Sequence, residues 1–346
     1  MLRIIMAELP SVTSERKTEV IGRIKEYPEI CKNYEDWIVT ALESKDPRGY
    51  PLVRQFLASN KTFLSYFEEI LKPLSSVKGF DSIVKYSKNK NEFYDELSVL
   101  KLALFLKALP CNFEFLPQRK NAMPDIRADL WGKDTFFEVK HLKEIDEVKE
   151  ILLGYFAEYP SSFYLSIIFN WGITAFQTKQ LIEIVTDLMK KNPEEKNEQR
   201  VDLDFAEVRI VPSKKRAETP LMFNVGIEGA PFKNNYRKVE TLLSEAVRQF
   251  QGIPPDSPSF ASFDIEKLMI DSDDLEPILY GEKHLCPSLF EAAGNEIVNG
   301  LIWLGLGKPV LYVNPKVDPR KYVDYSVLFS VFNVKSLKIT EFSNQV

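Results

Sequence analysis

The sequence has few cysteines and few histidines. Its 346 residues include 3 Cys and 2 His. Cys31, Cys111 and Cys286 are far apart and form no CxxC pair, which argues against a disulfide framework and against a structural zinc site. His284 lies close to Cys286, but no further ligands stand nearby. We therefore expect a reducing, cytoplasmic setting.

Long apolar segments are missing as well. No run of about 18 residues is apolar and free of charge, and the apolar part of the N-terminal MLRIIMAELPSV is too short for a signal peptide. These absences predict a protein without membrane spans. The hydrophobic share of 45%, with 24 Phe and 14 Tyr, argues against disorder.

The chain also lacks an excess of positive charge. Lys and Arg number 45 against 50 Asp and Glu, which gives a formal net charge of −5. A protein that binds polyanions over its whole surface is usually basic. Any contact with nucleic acid must therefore be local.

The first ninety residues have a helical pattern. From about Ser11 to Ser87, apolar residues recur at three- and four-residue spacing, with Pro, Gly and Asn between the periodic stretches. The lysine-rich segment Lys85–Asn91 marks a junction, although a loop inside one domain fits it almost as well. We predict a small helical N-terminal domain over 1–88 and an α/β domain over 89–346.

The α/β domain is predicted to begin with a buried helix, because EFYDELSVLKLALFLKALP is too apolar from Leu97 to Leu106 for a surface helix. Three short strands follow, then a helix over 141–159 and another strand: FEFLP, DIRADLW, DTFFEVKHL, HLKEIDEVKEILLGYFAEY and SFYLSIIFNW. The order is α-β-β-β-α-β. Helices and strands alternate to the end, which predicts an α/β class with further elaboration in the C-terminal half.

The tripeptide Glu-Val-Lys occurs at 138–140 and again at 147–149. Side chains two residues apart share a face on a strand, whereas on a helix they are separated by about 200°. The first copy is predicted on a strand and the second on a helix. Only the first can therefore form a site.

The first Glu-Val-Lys closes a predicted hairpin. With Gly132-Lys133 as a two-residue loop, the expected pairs are Trp131 with Asp134, Arg127 with Glu138, and Asp125 with Lys140. One face then carries Asp125, Glu138 and Lys140. The other face is apolar and must be the core side: Ile126, Ala128, Leu130, Phe137 and Val139.

Two neighbouring carboxylates repel each other, and a divalent cation relieves that repulsion. A lysine beside them can orient or deprotonate a water and offset charge on a phosphate. The pattern thus favours metal-assisted phosphodiester hydrolysis. In the alternative, Lys140 simply neutralises Asp125. Asp129 is a second candidate ligand, but a salt bridge to Arg127 or Lys133 is the favoured role, and His141 should point to the core.

These residues resemble the PD-(D/E)XK nuclease superfamily, which has the restriction-endonuclease-like fold: Pro124-Asp125, then Glu138-Val139-Lys140, an acidic residue in the preceding helix, and the α-β-β-β-α-β order. The resemblance implies that Asp125, Glu138 and the backbone carbonyl of Val139 bind Mg²⁺ or Mn²⁺. It also implies that Lys140 assists the attacking water and that Glu96 completes the site, with Glu92 and Asp95 as alternatives.

The C-terminal half looks like the back half of uncharacterised bacterial proteins that carry this core, through KVETLLSEAVRQF, FASFDIEKL and GLIWLGLGKPVLYVNP. That likeness makes Arg237–Phe250 the core helix, Phe260–Leu268 the following strand and 144–229 an insertion. The sequence leaves both placements open.

The resemblance implies a nuclease acting on nucleic acid, with DNA as the expected substrate and RNA as an alternative. Arg119 and Lys120 immediately precede Pro124-Asp125 and are expected at the rim of the cleft, where a phosphate backbone would pass. The acidic chain favours a narrow cleft or a partner subunit that supplies basic surface, and a homodimer would suit double-strand cleavage. The alternative function is a catalytically silent protein that keeps the fold as a nucleic-acid-binding or scaffold module.

Overall fold

A computed structural model gives the fold. It describes residues 12–117, 123–130, 132–141, 163–170, 175–191, 199–212, 225–228, 232–254, 256–264, 272–282, 286–292, 294–305, 308–317 and 331–335. Arg119, Lys120 and the second Glu-Val-Lys lie outside these ranges, as does the predicted helix beyond its first residue, His141. Of the helices in these ranges, none is long and apolar enough to cross a membrane.

The helices are α1 Ser14–Ile24, α2 Pro28–Leu42, α3 Pro51–Leu57, α4 Lys61–Leu74, α5 Phe80–Ser87, α6 Phe93–Lys107, α7 Ala175–Lys191, α8 Phe232–Phe250 and α9 Ser272–Tyr280. The strands are β1 Phe113–Phe115, β2 Ile126–Leu130, β3 Lys133–His141, β4 Phe163–Asn170, β5 Gln199–Leu203, β6 Ala206–Pro212, β7 Val225–Glu228, β8 Ser259–Asp264, β9 Gly300–Trp303, β10 Val310–Val313 and β11 Asn333–Lys335. Short 3₁₀ turns occur at Pro47–Gly49 and Asn295–Ile297.

The chain divides into two compact units. One contains Met1–Lys72 and Lys143–Ala230, and the other contains Pro73–Leu142 and Pro231–Val346. The division after Lys72 precedes the boundary predicted at residue 88, because α5 packs on α6 and β1. The second unit is thus interrupted by a long segment that belongs to the first.

The first unit begins with the helices that the periodicity predicts. Pro28 and Pro51 occupy the first position of α2 and α3, where a missing N–H removes no helical hydrogen bond. The side chains buried on α1 to α3 include Val20, Ile24, Ile30, Tyr34, Ile38, Leu52 and Phe56. The unit also holds a four-stranded sheet in the order β5-β6-β4-β7. Strand β5 was not predicted, because its residues QRVDL include only two apolar side chains.

The second unit is built on a seven-stranded sheet in the order β1-β2-β3-β8-β9-β10-β11. Strands β3, β8 and β9 run parallel, whereas β1, β2 and β3 pair antiparallel. The predicted α/β class with a mixed sheet is therefore confirmed. Along the chain the elements that bear on the site follow the order α6-β1-β2-β3-α8-β8.

Strand β8, and not β4, is the parallel neighbour of β3. Phe137 pairs with Phe260 and Glu138 with Ala261, while β4 lies in the other sheet. The placement that puts β4 next to β3 is wrong, and the one that makes 144–229 an insertion agrees with the strand order. Every residue of β8 is buried, as expected for a parallel strand covered on both faces.

Helix α8 covers one face of this sheet and α6 contacts the other. The α8 side chains Val239, Leu243 and Ala246 share a core with Phe136, Ala261 and Phe263. Ser98 and Lys101 of α6 contact Asp264, which points the opposite way from Phe263 because faces alternate along a strand. Strand β3 therefore lies between two helices, with even-numbered residues on the α8 side.

The β2–β3 hairpin has a different register from the predicted one. Leu130 pairs with Lys133 and Ile126 with Phe137, so Asp125 lies opposite Glu138, two positions from the predicted partner Lys140. Gly132 has φ of +71° and takes the second position of a two-residue connection, where a positive φ is also required. Since the shift is two residues, the predicted faces are unchanged.

Candidate functional site

Asp125 lies just before β2 and extends the hairpin with its side chain. Its N–H donates to the carbonyl of Phe137 at 3.0 Å, and its Oδ2 accepts the N–H of Val139 at 2.8 Å. The carboxylate thus takes the place that a backbone carbonyl would have if β2 began earlier. Both main-chain groups of a strand residue point to the same neighbour, so the Val139 carbonyl also points toward the side of Asp125.

Glu138 and Lys140 lie near the end of β3, on the face that the alternation predicts. Lys140 Nζ is 2.8 Å from Glu138 Oε1, and both side chains are largely covered, with 19% and 5% exposed. The ion pair therefore joins Lys140 to Glu138. The alternative prediction had paired Lys140 with Asp125. Glu138 Oε2 is buried and has no hydrogen-bond partner among the described residues.

Burial and neighbouring charges change the pKa values of all three ionisable groups of the site, Asp125, Glu138 and Lys140. Burial, followed by the repulsion of Asp125, raises the pKa of Glu138 well above its ordinary range. Burial likewise raises the pKa of Asp125 to about 6, although the Val139 N–H and the Lys140 ammonium act to lower it. Burial alone would lower the pKa of Lys140, but Glu138, Asp125 and Glu245 raise it.

The acidic residues of α6 differ in their surroundings. Glu96, predicted to complete the site, is fully buried, whereas Asp95 and Glu92 are half-buried. The negative charge of Asp95 is one of the causes that raise the pKa of Asp125. Asp95 is therefore the α6 carboxylate whose electrostatic influence on the pair is evident.

The donor set fits a hard divalent cation. Asp125 and Glu138 are adjacent carboxyl groups, close enough to hydrogen-bond to each other when one of them is protonated. When both are ionised, the buried Oε2 of Glu138 has no hydrogen-bond donor among the described residues. In the part of the chain that the structure describes, no group of three or more His, Cys, Asp or Glu side chains is placed to hold a metal. Mg²⁺ commonly uses only one or two carboxylates and keeps several waters, so two carboxylates with a main-chain carbonyl suffice.

Other residues singled out in the sequence lie away from the pair. Asp129 is exposed and is four residues along β2 from Asp125, about 13 Å at the rise of a strand. Arg127 contacts Glu114 at 2.5 Å and Asp134 at 3.7 Å, so its predicted bond to Asp129 is not formed. His141 points to the α6 side, as predicted, where its ring stacks on Tyr94.

Glu245 of α8 is a residue that sequence reasoning missed. It is half-buried, and its negative charge contributes to the raised pKa of Lys140. The only signal was its place in KVETLLSEAVRQF, where it resembles any polar residue of an amphipathic helix. Its proximity to Lys140 depends on the packing of α8 against β3.

No family model matches the chain, no curated protein matches its sequence, and no solved structure matches its fold.

Proposed function

We propose that the chain is a metal-dependent nuclease of the PD-(D/E)XK type that hydrolyses phosphodiester bonds in the cytoplasm, with DNA as its substrate. One observation carries the proposal: two neighbouring carboxylates, the half-buried Asp125 and the buried Glu138, lie at the end of a hairpin with Lys140 bound to Glu138. Two carboxylates that repel each other in this way cost the fold stability, so their retention favours a functional role.

Asp125 and Glu138, with the carbonyl of Val139, would hold Mg²⁺ or Mn²⁺. When bound there, the cation supplies a Lewis acid that polarises a phosphoryl oxygen and activates water. The hydrogen bond from the Val139 N–H to Oδ2 holds the Asp125 carboxylate in place, and the ion pair of Oε1 with Lys140 does the same for Glu138. Each carboxylate keeps lone pairs that a cation could use.

Lys140 supplies hydrogen-bond donors and positive charge. An ammonium group has three N–H donors, and Glu138 Oε1 takes one of them. The remaining donors can orient a water or contact a non-bridging phosphate oxygen, where negative charge grows as the phosphodiester is attacked. The ion pair fixes the direction of the Lys140 side chain before substrate arrives, so little reorganisation is needed during the reaction.

The test is metal-dependent cleavage by the purified full chain. The substrates are plasmid, linear duplex, single-stranded DNA, branched DNA and RNA, each with Mg²⁺, Mn²⁺ or EDTA. Lys140→Ala should lower the rate by about 10²- to 10³-fold, whereas Lys133→Ala, which removes an exposed lysine at the start of the same strand, should cut like wild type.

Cleavage that requires metal and is lost only in Lys140→Ala would support the proposal and identify the substrate. A rate equal in the two variants would refute the assignment of Lys140. If wild type cuts nothing and fails to bind Mn²⁺ in calorimetry, the nuclease proposal fails and the scaffold function becomes the better one.

A further inference from the structure

A buried polar cluster joins α6 to the ends of β3 and β8. Ser98 Oγ donates to Asp264 Oδ2 at 2.7 Å, and Lys101 Nζ lies 3.0 Å from the same oxygen. Ser98 Oγ is also 3.1 Å from Nδ1 of His141 and 2.9 Å from the carbonyl of Tyr94. Lys101 is 8% exposed and Asp264 only 3%.

The Ser98 hydroxyl is the centre of this cluster. It has one hydrogen and two lone pairs, and it lies within hydrogen-bond distance of Asp264, His141 and the Tyr94 carbonyl. Which of Ser98 Oγ and His141 Nδ1 donates to the other depends on the tautomer of His141. In either tautomer, the contact ties the end of β3 to α6.

Stability alone is a poor explanation for the cluster. Removing a carboxylate and an ammonium from water is unfavourable, and apolar residues of similar size often stabilise a fold as well or better. Buried ion pairs of this kind serve best to fix one arrangement of packed elements, because any shift leaves a charge without its partner. Here the elements that are fixed are α6, β3 and β8.

The cluster lies on the side of the sheet opposite to the site. His141 pairs with Asp264, and Lys140 pairs with Phe263, one position earlier. Since successive side chains of a strand point to opposite faces, Asp264 and His141 face α6 while Lys140 faces α8. Any effect of the cluster on Glu138 and Lys140 must therefore pass through the backbone.

The two ends of the cluster are next to residues of the site. His141 directly follows Lys140, and Ser98 lies one helical turn after Asp95, on the same side of α6. Fixing Ser98 against Asp264 thus fixes the turn of α6 that carries Asp95, and fixing His141 fixes the end of β3.

We propose that Ser98 and Asp264 are positioning residues, which hold α6 and the end of β3 so that Asp95 and Lys140 are correctly placed around Asp125 and Glu138. The catalytic consequence rests on the proposed function, but the positional one does not. The Val139 N–H, which bonds Asp125 at 2.8 Å, reports the order of this part of β3 without metal or substrate.

The experiment compares Ser98→Ala with Ser288→Ala. Both remove a buried serine hydroxyl of the second unit that donates at 2.7 Å, the latter to the carbonyl of Leu279. The first readout is native-state hydrogen exchange of the Val139 amide in EDTA. Exchange should be about tenfold faster in Ser98→Ala, because a net hydrogen bond is worth about that factor, and unchanged in Ser288→Ala.

The second readout is metal-dependent cleavage under conditions in which urea titration shows both variants to be folded. Ser98→Ala should lower kcat by about tenfold with KM unchanged, and Ser288→Ala should match wild type. Equal Val139 exchange in the two variants overturns the positioning role. If wild type neither cuts nor binds Mn²⁺ while exchange at Val139 still rises only in Ser98→Ala, the proposed function fails and the positioning role stands.

Discussion

The metal-free protein should lose stability as pH rises through the range in which Asp125 ionises. Burial, as the largest cause, raises the pKa of Asp125 from 3.8 to about 6. In the unfolded chain that cause disappears, so between these two values the folded state holds more protons than the unfolded state. Stability present at low pH is therefore lost as pH increases toward the folded pKa.

The size of this loss follows from the two pKa values. A pKa difference of about two corresponds to about 3 kcal/mol. Asp125 is half-buried, and solvent screening reduces the effect, so we expect about 1 to 3 kcal/mol between about pH 4 and pH 7. Glu138 acts in the same direction, because its pKa is raised too.

The assay is urea unfolding of wild type and Asp125→Asn in EDTA at several pH values. Asparagine keeps an oxygen that can accept the Val139 N–H, but it cannot ionise. The difference in unfolding free energy between the two proteins therefore contains the ionisation of Asp125 together with the part of the raised Glu138 pKa that the Asp125 charge causes, and both have the same sign. The free energy of unfolding of wild type should decrease relative to that of Asp125→Asn as pH rises. A difference that stays constant, or that changes in favour of wild type, would refute the burial argument.

Three further predictions concern metal, backbone and buried charge. Mn²⁺ at about 100 times its Kd should stabilise wild type by about 2.7 kcal/mol but not Glu138→Gln; equal thermal shifts would contradict this. Gly132→Ala should lower the free energy of unfolding, measured in urea, by about 1 kcal/mol, because Gly132 has a positive φ. Gly79→Ala should lower it further, because a Cβ there would also meet the Phe115 backbone oxygen at 2.3 Å. A larger loss in Gly132→Ala would contradict this reasoning. Lys101→Met should lower the free energy of unfolding by about 3 to 5 kcal/mol, because it leaves the buried Asp264 carboxylate without its partner. Adding Asp264→Asn should recover part of that loss. A double variant less stable than Lys101→Met would argue against a buried charge pair.

The faces of the hairpin could be predicted from sequence, whereas its register could not. Alternation in β2 and β3 depends only on the period of a strand, so a shift of two residues left Asp125, Glu138 and Lys140 together. The register depended on which residues formed the loop beside Gly132. Two-residue connections accept a positive φ at either position, and the letters alone did not select one.

The pairing of strands that are far apart in the sequence could not be predicted from local patterns. Strands β4 and β8 are both short apolar segments that follow a helical stretch, so periodicity treats them alike as neighbours of β3. The Ser98–Asp264 bond joins residues 166 positions apart, and neither residue has a local feature that marks it as buried. The units divide the chain after Lys72, which likewise reflects packing and not composition.

Strand β3 must keep one set of side chains toward α8 and another toward α6, and the buried polar cluster on the α6 side helps to maintain this arrangement. Glu138 and Lys140 must face α8 while Val139 and His141 face α6, and a slip of one residue would exchange the two sets. Apolar contacts with α6 discriminate weakly between such registers, because many apolar side chains fit a similar space. The contact between His141 and Ser98 is more selective, since a one-residue slip of β3 would turn His141 away from α6, while the Lys101–Asp264 pair holds β8 against α6. The polar cluster on one face thus keeps the carboxylates and the lysine on the other.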